Sequence, residues 1–144
     1  MSSIPSAGIP SAPVSWGELL DKITILEVKR ERISSKPALA HIVRELALLR
    51  DLARPVLGSG PVPRLLTRLK SINLRLWNVE DRIRIKEAAA QFDDEFIRLA
   101  RAVYRTNDLR AAVKRRINAA LKSELVEQKS YASGRISAGR RRRS

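Results

Sequence analysis

From Trp16 to Leu121, large aliphatic side chains return every three or four residues, the period of one face of an α-helix. The stripes are Trp16-Leu19-Leu20-Ile23-Leu26, Leu39-Ile42-Val43-Leu46-Leu49 and Leu65-Leu69-Ile72-Leu76-Val79-Ile83, then Phe96-Leu99-Ala100-Val103 and Leu109-Val113-Ile117-Ala120-Leu121. Each stripe has to be covered, and five of them cover one another best. The expected fold is therefore all-α, a single bundle of about five amphipathic helices. Glycine is nearly absent between the expected breaks and aromatics make up only 4% of the chain, which favours helices over strands.

Local signals set the expected boundaries. Ser15-Trp16-Gly17-Glu18 has the spacing of a capping box, so helix one runs from Ser15 to about Ile33. Helix two follows Ser34-Ser35, with Pro37 in its first turn, and ends before Pro55. Pro55, Gly58, Gly60, Pro61 and Pro63 make a break. Helix three runs from about Pro63 to Ala90. Asp93-Asp94-Glu95 starts helix four, where the helix dipole favours acids, and it runs to about Thr106. Asn107-Asp108 is the expected cap of helix five, which runs to about Ser123, with a last short turn over 124–131. Residues 1–14, rich in Pro, Ser, Ala and Gly, are expected to be a disordered arm. Residues 132–144 are expected to be a disordered, Arg-rich tail. The domain proper is thus residues 15–131.

Composition excludes several chemistries. Without cysteine there is neither a disulfide nor a thiol nucleophile. The single histidine, His41, cannot pair with another at a metal, and it is expected on the outer side of helix two. Glu80, Asp81 and Glu87 lack the i, i+3 or i, i+4 arrangement that suggests a magnesium site. No metal and no cofactor are expected. No apolar run approaches the roughly 20 residues of a membrane span, and the N-terminus lacks the basic and apolar regions of a signal peptide, so a cytoplasmic location is expected.

Net charge is +14. The segment 132–144 takes five of those charges and leaves nine on the rest. Arg140, Arg141, Arg142 and Arg143 would attract phosphates, so nonspecific attachment to nucleic acid or to an anionic membrane is one functional reading. Specific recognition lacks a Gly-aromatic ribonucleoprotein pattern and zinc ligands. A helix-turn-helix at Asn107-Asp108 would need a very tight turn without glycine.

Polar residues on or beside an apolar stripe are more informative, since burying them unpaired costs several kcal/mol. Glu27 lies within the stripe of helix one. Asn73, Glu80 and Glu87 are spaced by seven along helix three, with Arg84 between the last two, and Trp77 stands toward the flank of its stripe. Arg110, Lys114 and Asn118 form an i, i+4, i+8 row on helix five. In one reading the acid line of helix three pairs with the basic row of helix five and fixes register. In the other, Glu27, Asn73, Glu80, Arg84, Arg110, Lys114 and Asn118 line a cleft for a small anion or polar ligand, where a desolvated carboxylate could do acid–base chemistry.

VSWGELLDKITILEVKRERI (14–33), LWNVEDRIRIKE (76–87), FDDEFIRLARAVYRTNDLRAAVKRRIN (92–118) and SELVEQKSY (123–131) together resemble a family of small bacterial proteins of unknown function. Its pattern reads VSxGELxDKxTILExK, LWxxEDxIRxKE and LARxVYxxNDxRAxxKxxIN. The resemblance covers about residues 14–131 and implies a compact helical domain, near glycan or polysaccharide biosynthesis functions, with no catalytic residue to carry over. The leading expectation is then a non-enzymatic accessory or interaction module whose partner is another protein or a second copy. The polar cleft and the basic tail are the alternatives.

Overall fold

A computed structural model describes residues 7–122. It is all-helical, with α1 Trp16–Arg32, α2 Lys36–Ala53, α3 Val62–Ala88 and α4 Asp94–Ala120. Residues 7–14 are exposed and in no regular element. The expected turn at 124–131 and the tail lie outside the described residues.

Ser15 caps α1, its Oγ accepting from the Glu18 amide at 3.1 Å. Pro37 sits in the first turn of α2. At the far end of α3 the chain turns through Ala90, whose φ of 51° is left-handed. Asp93 then caps α4, accepting from the Phe96 amide at 3.0 Å. These ends fall within a few residues of where the local signals put them.

The count of helices does not: the expected fourth and fifth are one. Asn107-Asp108 lies in the middle of the 27-residue α4. Asn and Asp favour caps, but they stop a helix only when packing does not hold it. Here Thr106 is 2% exposed, and Ala111 and Val113 are buried beyond it, so burial continues straight through the polar pair. Asn107 is turned to the flank of the helix, where its Oδ1 accepts from Arg110 Nη1 at 3.5 Å.

α1 is the central helix. It packs against α2, α3 and α4, and α3 pairs with α4. The core joins Leu20, Ile23 and Leu26 of α1 to Ile42 and Leu46, to Leu65, Leu69 and Ile72, and to Val113 and Ile117. α3 and α4 run to about 40 Å at 1.5 Å per residue, against about 25 Å for α1. The two long helices therefore project past the helix that covers them. This explains why Val79, Ile83, Phe96 and Val103 are only half-buried. Val43 and Leu109, also read as stripe residues, are exposed, because α2 is covered on one side only and Leu109 looks away from α1.

Candidate functional site

The α1–α4 contact is built around a glycine. A Cβ at Gly17 would lie 2.5 Å from the carbonyl oxygen of Lys114 and 2.9 Å from Asn118 Oδ1, so no other residue allows this approach. The Gly17 amide donates to Asn118 Oδ1 at 2.7 Å. One turn on, Lys114 Nζ donates to Glu18 Oε2 at 2.7 Å, and its side chain is 8% exposed.

The next turn holds the centre of the seam. Asp21 is 1% exposed. Its Oδ1 accepts from Arg110 Nε at 2.9 Å and from Asn73 Nδ2 at 3.0 Å, and its Oδ2 accepts from Arg110 Nη2 at 2.5 Å. Asn73 Nδ2 also donates to Thr24 Oγ1 at 2.8 Å, and Thr24 Oγ1 donates to the Asp21 carbonyl at 2.8 Å. A carboxylate this buried is stable only when its lone pairs are taken, and Arg110 takes two in the parallel fork geometry that guanidinium allows. One carboxylate thereby ties α1, α3 and α4 together.

Beside this lock lies a cavity of about 240 Å³. Ile25, Val28 and Lys29 of α1, Asn73, Leu76, Trp77 and Glu80 of α3, and Arg110 of α4 line it. Its lining combines the apolar Ile25, Val28, Leu76 and Trp77 with the polar Lys29, Asn73, Glu80 and Arg110. Among the described residues, neither Lys29 nor Glu80 is held in an ion pair, whereas Asp21 neutralises Arg110. The charges at this opening, +1 from Lys29 and −1 from Glu80, balance.

The seven residues expected to line one cleft part company. Asn73, Glu80 and Arg110 meet at the cavity. Lys114 and Asn118 are buried one and two turns away against α1. Arg84 is exposed on the projecting end of α3. Glu27 faces the other way, 3.3 Å from Arg50 and 3.4 Å from Lys70. Lys70 also donates to Glu31 at 2.6 Å; that bond raises the Lys70 pKa and lowers that of Glu31. Arg110 and Lys114 are indeed paired, but with Asp21 and Glu18 of α1, not with the acid line of α3. Gly17, Glu18, Asp21, Thr24 and Lys29 were not marked by their place on the apolar stripes. Their signal is present: Gly17, Asp21 and Thr24 are spaced i, i+4, i+7, a polar line beside the apolar one.

At the projecting tip, Lys86 Nζ donates to both oxygens of Asp93, at 3.0 and 2.9 Å. This bond, with the Phe96 amide second, holds the Asp93 carboxyl below the usual aspartate range, and the same contact raises Lys86. Arg82 is bonded to Glu95 beside it. Among the described residues no three His, Cys, Asp or Glu side chains group as a metal site, and no helix is long and apolar enough to cross a membrane.

Fold and seam together define a small all-helical protein with a polar lock in its core and a cavity beside it. The chain belongs to a family of unknown function, DUF6165, whose model matches residues 11–141. No curated protein and no solved structure matches it significantly.

Proposed function

We propose that the protein is a non-enzymatic binding module that holds one small polar molecule in the α1–α3–α4 cavity. The carrying observation is a 240 Å³ cavity lined both by Trp77 and aliphatic side chains and by Lys29 and Glu80, neither of which is in an ion pair among the described residues. Binding sites typically join an apolar wall to a few placed polar groups. The volume suits a molecule of one ring. The balanced charge at the opening, with Arg110 already neutralised, favours a hydroxylated or zwitterionic molecule over a simple anion. A sugar fits this description, with its C–H face on Trp77 and hydroxyls toward Glu80, Lys29 and Asn73. The glycan setting implied by the family resemblance agrees. Ile25, Lys29, Leu76, Trp77, Glu80 and Arg110 also stand at positions of the pattern that carries that resemblance.

A binding role rather than catalysis is supported by the state of Asp21, whose lone pairs are committed to Arg110 and Asn73. The test is saturation-transfer NMR with a panel of monosaccharides, amino acids and small anions, on the wild type and on Trp77→Ala and Glu80→Ala. A neutral or zwitterionic compound should show transfer that both variants lose. Transfer unchanged by both substitutions would refute the cavity as the site.

A second reading is an accessory role through contact with another protein. Ile85 and Phe92 are 68% and 58% exposed at the projecting end of the α3–α4 hairpin, where Phe92 meets Phe96 edge-on at 5.2 Å. A pull-down with Ile85→Ser/Phe92→Ser beside the wild type tests it. A partner retained equally by both proteins would refute a role for the tip.

A further inference from the structure

The side of the α3–α4 hairpin away from α1 is strongly basic. α1 meets α3 at Asn73 and meets α4 at Lys114 and Asn118. At 3.6 residues per turn, Arg64, Arg68, Arg75 and Arg82 fall within about 40° of one another and about 140–180° from Asn73. On α4, Arg98, Arg105 and Arg116 fall within about 20° of one another and about 140–180° from Lys114 and Asn118. All of these arginines are exposed. They form two lines side by side, each about 27 Å long at 1.5 Å per residue.

The imbalance is large: Asp94 at the start of α4 joins the second line and Asp108 borders it, against seven arginines on the two lines. No acid occurs between Pro55 and Val79, and Asp108 alone occurs between Phe96 and Lys122. Arg82 is bonded to Glu95, and the Arg105 guanidinium lies 5.9 Å from the centre of the Tyr104 ring. Among the described residues, none of the remaining arginines of the two lines is in an ion pair.

We propose that this face binds the phosphate backbone of duplex nucleic acid without reading its sequence. Guanidinium matches phosphate with two parallel hydrogen bonds, and two rigid lines of it, about 8–10 Å apart as packed helices are, present a track to a polyphosphate. Two helices abreast are about 20 Å wide and cannot enter a major groove about 12 Å across, so they reach phosphates rather than base edges. An anionic membrane would call for apolar residues among the basic ones, and between these lines only Leu109 is a large exposed apolar side chain. A single strand would call for aromatic platforms, and the one nearby ring, Tyr104, is engaged by Arg105. The face lies opposite the cavity and does not depend on its ligand. Nor does it depend on Arg140 to Arg143, which lie outside the described residues.

The test compares the full chain with two triple variants of equal charge, R68Q/R75Q/R105Q on this face and R30Q/R32Q/R44Q on exposed positions of α1 and α2. Binding to a labelled duplex of about 30 base pairs is followed by anisotropy from roughly 50 to 200 mM salt, where phosphate contacts are resolved by their salt dependence. At about 0.9 per phosphate contact, the face variant should lower the slope of log K against log salt by about 2.7, and weaken binding about 100-fold at 0.15 M. The α1–α2 variant should change the slope by less than about one, because its three arginines reach no phosphate. Equal losses in both variants would reduce the effect to net charge and overturn the proposal. So would no loss in either, or tighter binding to anionic phospholipid vesicles than to the duplex.

Discussion

Replacing Asp21 by Asn removes a buried charge while changing almost no volume. The amide cannot accept from both Arg110 nitrogens and Asn73, so one N–H donor faces another and the guanidinium loses its counter-charge. Removing one partner of a buried pair costs about 3–5 kcal/mol. Asp21 is 1% exposed but the Arg110 side chain is 26% exposed, so water relieves part of the loss. The expected cost is about 3 kcal/mol, the lower end of that range. Urea unfolding followed by helical circular dichroism reads it directly. With a slope of about 1–3 kcal/mol per molar, the midpoint should fall by about 1–3 M. The double variant Asp21→Leu/Arg110→Met removes both charges and should recover most of the loss. It should stay short of wild type by about 1 kcal/mol, since Asn73 Nδ2 keeps only its bond to Thr24. A cost for Asp21→Asn below about 0.5 kcal/mol, the value of an exposed pair, would refute the lock.

Gly17→Ala should destabilise by about 1–3 kcal/mol through the clash with the Lys114 carbonyl, although alanine in an open helix would gain about 1; a gain measured by the same urea assay would refute the close α1–α4 approach. Asp108→Pro should cost about 3 kcal/mol, because it breaks the interior of α4. Were Asp108 a cap residue or first-turn position, proline would be tolerated and the midpoint would hardly move. The Asp93 carboxyl should titrate below an ordinary aspartate in a carbon-detected NMR series, and return toward it in Lys86→Gln. A lowered folded pKa means its stabilisation is present above the unfolded value and fades as pH falls through the folded one, so acid should loosen the hairpin tip more in the wild type than in Asp93→Asn.

Much of the fold was legible because burial leaves a period. Leu65, Leu69, Ile72 and Leu76 repeat as a helix face must, and Ser15 and Asp93 mark starts with side chains that cap. The junction at Asn107-Asp108 misled because cap preference is local, while the burial of Thr106, Ala111 and Val113 that overrides it comes from α3 and α1. The candidate site was half legible. Arg110, Lys114 and Asn118 are recognisable as a buried polar row. Their partners are not, since spacing along α4 says nothing of which helix faces it. That is decided by Gly17, whose missing side chain brings α1, not α3, onto the row. The same choice carries Glu27 round to Arg50 and Lys70.

The most direct measurement on the cavity is a nitrogen–proton NMR titration with the best compound from the panel, observing the Trp77 indole N–H and the Arg110 Nε–H together. Binding in the cavity predicts saturable shifts at both, and at amides of Lys29 and Glu80, while the indole of Trp16 stays still. Shifts confined to Ile85 and Phe92, or no saturable shift at Trp77 with any compound, would contradict a ligand site between α1, α3 and α4.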